Sequence, residues 1–242
     1  MASPGGILVA MNERTAGSGL GSGPAEALMA VDAPGISVGW VRAEGCVNGP
    51  SPEGLLAEIR ESVARAVEAK DTPESVSRKA AARDMLRFGT YKPTGRGKPA
   101  SEYILNAAAE GQFPLINAIV DINNLVSLES LLPISVVDLD RAGGARFAVR
   151  RGREGESYVF NPSGQVLQLR DLLLGARLPE DSPCASPIKD CQATKTHEGT
   201  TRVLGLVYSP ESLATQALDA AARMAALLER YCGAEALSGV AR

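Results

Sequence analysis

The chain has 242 residues, 45 % apolar and 22 % charged, with 25 Lys or Arg against 28 Asp or Glu for a formal charge of −3. That apolar content excludes disorder throughout, and the length suffices for one large domain or two small ones with a real core. No apolar run approaches the ~18 residues a membrane helix needs, and the near-neutral total argues at first sight against a nucleic-acid partner.

Ile7 to Met11 is too short for the apolar core of a secretory signal, and no Lys or Arg precedes it. Thr15 to Pro24 is rich in Gly and Ser and reads as a linker, so a flexible extension is expected over residues 1–34. The four cysteines, Cys46, Cys184, Cys191 and Cys232, show no CxxC spacing. They point to free thiols in a reducing, cytoplasmic setting rather than to a disulfide scaffold. Cys184, Cys191 and His197 lie close in sequence, but with a single His no metal site is expected.

Ile36 to Val41 predicts a buried strand. Three helices then carry one signal: Ser51-Pro52-Glu53, Thr72-Pro73-Glu74 and Ser209-Pro210-Glu211 each set a cap residue before Pro, with an acid following. After Ser51, Leu55, Leu56, Ile59, Val63, Ala66 and Val67 repeat at helical spacing. After Ser209, Leu213, Ala217, Leu218, Ala221, Met224, Leu227, Leu228 and Tyr231 do the same, and Gly233 is a stop. The second helix is expected from Pro73 to Arg87, a fourth from Ser101 to Ala109, and a fifth within Leu115 to Leu132, ended by Pro133.

Strands follow. Ser135 to Asp140, Ala145 to Arg151, Glu156 to Phe160, Gln165 to Leu169 and Arg202 to Tyr208 are separated by Gly-containing turns, while Pro179 to Thr200 reads as a long polar loop. Helices at both ends with strands mainly between give an α+β class.

Common catalytic signatures are missing: there is no GxSxG, Walker A or HExxH, and Gly17 to Gly21 has no preceding strand for a dinucleotide fingerprint. Cys191 and His197 are a formal nucleophile and base pair. The charges are unevenly placed. Arg78 to Lys98 holds seven Lys or Arg against one Asp, and Pro99 to Asp140 holds six Asp or Glu with no Lys or Arg. Arg83, Arg87, Lys92, Arg96 and Lys98, with Tyr91 among them, form a strip suited to phosphate contacts.

The run Val120-Asp-Ile-Asn-Asn-Leu-Val-Ser-Leu-Glu-Ser-Leu-Leu-Pro133, followed by Val137-Asp-Leu-Asp-Arg141, resembles the B3/B4 module of the phenylalanyl-tRNA synthetase beta subunit, above all its freestanding versions. The family stretch has the character VDVTNYVxLExGxPxHAFDLDK. Ala148 to Glu156 continues the likeness, as does Thr200 to Leu204 ahead of Tyr208-Ser-Pro210, and Arg83 to Glu102 resembles the freestanding group upstream.

The resemblance implies a three-layer α+β unit over residues 35–233, a β-sandwich core flanked by helices, with 234–242 as a C-terminal tail. It implies a tRNA-binding deacylase that hydrolyses the ester at the aminoacylated 3′ end of a mischarged tRNA, with no cofactor, no DNA and no membrane partner. The alternative is a non-catalytic binder of tRNA or of a free amino acid. No catalytic residue is assigned. The implied substrate pocket is Asn124, Ser135, Gln192, Thr194 and Lys195. Two positions depart from the family: its pocket histidine falls at Ser135 and its pocket glutamate near Gln192, which puts tyrosine specificity in doubt. Oligomeric state is not legible.

Overall fold

A computed structural model describes residues 29–242. The readings of Ile7 to Met11, of the Thr15 to Pro24 linker and of Gly17 to Gly21 lie outside them. The core is a four-stranded sheet in the order β10-β2-β9-β3, built from β2 (Ile36–Glu44), β3 (Ile134–Asp138), β9 (Arg202–Pro210) and β10 (Glu235–Ala241). All its pairings are antiparallel.

Alternation along β9 sets the layers. Val203 and Val207 join one cluster of buried residues, and Leu204, Leu206 and Tyr208 join another. The first cluster lies under the helices α4 (Ala118–Ser130) and α6 (Ala214–Cys232), with Leu125, Met224 and Leu228 packed on Ile134 and Val136. The second fills the gap to a second sheet, β1-β4-β7-β8, made of β1 (Met29–Asp32), β4 (Arg146–Arg151), β7 (Leu173–Leu178) and β8 (Ser182–Ala185). The result is helices, sheet, sheet: an α+β sandwich with a helical layer. Gly39 lets α6 lie close on β2, because a Cβ there would come within 2.2 Å of the Ala217 carbonyl oxygen.

The remaining elements decorate this frame: α1 (Glu53–Ala69), α2 (Pro73–Asp84), α3 (Ala100–Ala109), the single turn α5 (Leu139–Ala142), and the hairpin of β5 (Ser157–Val159) with β6 (Val166–Gln168).

Several expectations need correction. Residues 29–34, read as part of the extension, include β1, which pairs in parallel with β4. Residues 234–242, read as a tail, include β10, the strand that pairs with β2. Pro179 to Thr200 contains β8, and β7 just before it was not foreseen at all. The strand read over Ser135 to Asp140 ends at Asp138, where the carboxylate caps α5.

The three Pro signals divide. Thr72 caps α2 by accepting from the Ser75 N–H. In the other two, Pro52 and Pro210 take the cap position without a side-chain bond. Ser51 instead donates to Asp121 at 2.6 Å, and Ser209 to the Ser37 carbonyl at 3.1 Å. The α2 helix stops at Asp84, short of Arg87.

Candidate functional site

The segment after β8 folds back along the edge strand β3. Ser135 is fully buried, and its hydroxyl lies 3.1 Å from the Ser186 carbonyl. It also faces the carboxyl of Asp190, whose Oδ1 accepts from the Ser186 N–H at 3.1 Å. Burial pushes the Asp190 carboxyl up to about 6, against the opposing pull of Ser135, of the Ser186 and Val136 N–H groups and of the Lys195 charge.

The Tyr208 hydroxyl beside this cluster is buried without a partner, as is Gln192 Oε1 two residues along the chain from Asp190. Tyr208 lies close to Ser135 without an ordinary hydrogen bond, and burial raises its hydroxyl well above the usual value. Buried polar atoms usually find partners. A buried polar atom without a partner beside a carboxyl of raised pKa marks a candidate functional cluster.

The walls are held by structural bonds. Thr194 donates to the Cys184 carbonyl at 2.9 Å, Lys195 Nζ to the Phe160 carbonyl at 2.6 Å, and Tyr158 to the Lys189 carbonyl at 2.6 Å. Lys189 Nζ sits 4.1 Å from the centre of the Phe160 ring. Cys184 is buried, with its thiol raised to about 12 by burial, so it stays a thiol.

Ser135 and Lys195 therefore act on Asp190 directly, while Gln192 and Thr194 follow it on the same segment, with the Thr194 hydroxyl turned to the Cys184 carbonyl. Asn124 does not join them. It sits on α4 in the helical layer, making long 3.4 Å contacts with the Pro114 carbonyl and Asn123 Nδ2. Ile134 and Val136 turn toward that layer, so Ser135 between them turns away from it. Sheet alternation separates the two, and Asn124 lies apart from the Ser135 cluster.

His197 is also committed. Its Nδ1 accepts from the Gly199 N–H at 3.1 Å, and its Nε2 lies 3.5 Å from Asp138 Oδ2. Asp138 in turn takes the Thr200 hydroxyl at 2.6 Å and the Arg141 N–H at 2.9 Å. With both ring nitrogens engaged, His197 is no base for Cys191. Among the described residues no three His, Cys, Asp or Glu are grouped to hold a metal.

The basic strip is partly neutralised. Arg83 forms a two-bond pair with buried Glu102, and Arg87 pairs with Asp84 at 2.9 Å. Lys92, Arg96 and Lys98 enter no ion pair among the described residues. They ride a short loop closed by the Tyr91 hydroxyl donating to the Gly97 carbonyl at 2.8 Å. At its end the Ala100 N–H donates to the Pro187 carbonyl at 2.8 Å, which sets the loop beside the Ser186 to Asp190 segment. One helical turn on, Tyr103 is 71 % exposed.

Sequence reading missed Asp190, Tyr208 and Tyr103. Asp190 stands in a loop with no local pattern, and its burial arises only when that loop meets β3. Tyr103 carried a signal that was passed over: an aromatic following a basic loop.

No helix among the described residues is long and apolar enough to cross a membrane. A search of curated proteins returned no match. The family description of the B3/4 domain matches residues 96–233, more than half of the chain. That span takes in β3, Asp190, Tyr208 and α6, and the chain belongs to the B3/4 domain family.

Proposed function

We propose that this protein is an aminoacyl-tRNA deacylase acting in trans on mischarged tRNA. B3/4 domains are known as the tRNA-editing part of phenylalanyl-tRNA synthetase beta subunits, and this chain has the domain. One observation carries the reading further: Asp190, a carboxyl whose pKa burial raises to about 6, lies beside the unpartnered Tyr208 hydroxyl and is tied through Pro187 to a loop whose cations enter no ion pair among the described residues.

The roles follow from chemistry. Lys92, Arg96 and Lys98 hold the phosphates of the tRNA 3′ end, and Tyr103 offers a face on which a terminal base stacks. The ester carbonyl enters the cluster, where the Tyr208 and Ser135 hydroxyls and the Gln192 amide position it and answer the negative charge that develops. Asp190, ionised at neutral pH and basic enough to accept a proton, draws one from the attacking water. The vicinal ribose hydroxyl of the substrate supports departure of the leaving oxygen, so no protein nucleophile is needed. With Ser135 and Gln192 where the family has His and Glu, the pocket favours an amino acid other than tyrosine.

The test is release of amino acid from a panel of mischarged tRNAs. Release from at least one, abolished in Asp190→Asn, is expected. No release at any pH near neutrality with protein in excess overturns the proposal.

The second reading, a binder of tRNA without turnover, is favoured by one feature. Thr194 and Lys195 spend their donors on carbonyls of the protein itself. Tight tRNA binding with an unchanged ester lifetime supports that reading.

A further inference from the structure

The helical layer carries a concavity outside the Ser135 to Asp190 cluster. A cleft of about 360 Å³ opens between α1, the start of α2 and the end of α4. Small-molecule sites fall in this size range. Its floor is apolar, made by Ala66, Ala69, Leu128 and Leu131, and its walls carry Arg65, Arg78, Glu74 and Glu129.

These four charges are not equally free. Glu74 is taken by Arg78 at 2.6 Å. Glu129 accepts from Ser62 at 2.7 Å and pairs with Arg223 of α6 at 3.2 Å. Among the described residues Arg65 pairs only with Glu61, one turn earlier on the same helix, at 3.8 Å and itself largely exposed. Such an exposed pair is weak and leaves the guanidinium available to another anion. Arg65 is 66 % exposed, yet one of its amino groups reaches inward to the buried Ser62 hydroxyl at 2.8 Å. That contact holds the guanidinium against the cleft wall.

The cleft thus combines one under-compensated guanidinium with an apolar floor. A guanidinium matches a carboxylate by two parallel hydrogen bonds, and the floor takes up methylene or ring carbons. We infer that this cleft binds a small carboxylate with an apolar body. The free amino acids and the simple aliphatic acids share that chemistry. The inference stands independently of the deacylase reading.

Calorimetric titration of the intact chain with three six-carbon probes tests it: hexanoate, L-norleucine and hexylamine. At least one of the two acids binds saturably, hexylamine does not, and Arg65→Gln weakens the binding by about tenfold or more. Ala69→Phe, which fills the floor, removes it. Both acids binding shows that the carboxylate and chain suffice. Norleucine alone identifies a free amino acid, and hexanoate alone an unsubstituted aliphatic acid. Asp190→Asn leaves the titration unchanged, so loss of deacylation and loss of this binding are separable. The inference is overturned if neither acid binds up to roughly 10 mM. It is equally overturned if hexylamine binds as well as the acids, if Arg65→Gln changes nothing, or if Asp190→Asn abolishes binding.

Discussion

The Ala100 N–H donates to the Pro187 carbonyl at 2.8 Å, and this single backbone bond joins the end of the basic loop to the segment that carries Asp190. Ala100 opens α3, so the bond also orients that helix and its exposed Tyr103 relative to the cluster. The basic loop and the Asp190 segment are thereby joined through the backbone.

Lys92, Arg96 and Lys98 are expected to dominate tRNA affinity, because Arg83 and Arg87 are occupied by Glu102 and Asp84. Replacing the three by Ala should lower the slope of log affinity against log salt by roughly one per cation. Arg87→Ala should leave the slope nearly unchanged. Arg83→Ala should act on stability instead, since it strands the buried carboxylate of Glu102. Filter binding across a salt series, with denaturant melts of each variant, checks both halves.

Tyr103→Ala should cost about 1–3 kcal/mol in binding a tRNA with an intact single-stranded 3′ end, the range for one base stacked on an aromatic ring. A tRNA lacking those terminal nucleotides should bind both proteins alike. The melting temperature should stay put, because an exposed ring contributes little to the core.

Asp138 is a structural carboxylate. It is 1 % exposed and accepts from Thr200, from the Arg141 N–H at the start of α5, and faces His197. Asp138→Ala should destabilise by about 2–4 kcal/mol, from the lost cap and the stranded buried donor. The protein that remains folded should keep its rate constant for ester hydrolysis. Urea melts and single-turnover rates on one preparation separate the two effects.

Arg150 is 5 % exposed and bonded to Glu156 at 2.7 Å and Asp181 at 2.6 Å. Its hydrogen bonds hold Glu156 below the usual carboxylate range. Asp181, which burial alone would raise, is drawn down by Arg150 and Arg153. Carboxylates with lowered folded values stabilise the protein above the unfolded carboxylate range, and that stability is lost as pH falls through the folded values. Arg150→Met should cost about 3 kcal/mol at pH 7 and make the fall in stability between pH 5 and 3 shallower. Denaturant midpoints across pH report both.

Much of the frame was legible in the sequence, for physical reasons. The continuous apolar run from Val203 to Tyr208 reads as β9, a strand buried on both faces because those faces meet different layers. The 3.6-residue repeat after Ser209 predicted α6 because that helix buries one side only. What escaped is equally explicable. The β7 strand reads Leu-Leu-Gly-Ala-Arg-Leu, a short apolar run broken by Gly175 and Arg177, and β8 carries a Pro. The β10 strand is rich in small residues of weak strand preference and is fixed by pairing with β2. Asn124 was grouped with Ser135 on resemblance alone, and only sheet alternation separates them. Asp190 is invisible locally, because its environment is made by tertiary contact.

Asp190 offers the most direct test. The rate of ester hydrolysis on the best mischarged tRNA should be followed from pH 5 to 8 in the wild type and in Asp190→Asn. Because burial raises this carboxyl to about 6, the wild-type rate should climb as pH rises through that value and then level off. The same raised value means that ionising Asp190 costs stability. The cost is absent below the unfolded value near 4, grows as pH rises from there to about 6, and is full above it. Asp190→Asn should therefore be more stable than wild type at pH 7, by about 1–2 kcal/mol after allowance for partial exposure, and no more stable at pH 4. The account predicts a variant at least as stable at neutrality, some 10²–10⁴ slower, and without the rise near pH 6. A stable Asp190→Asn that hydrolyses the ester at the wild-type rate, with the same pH profile, would contradict it.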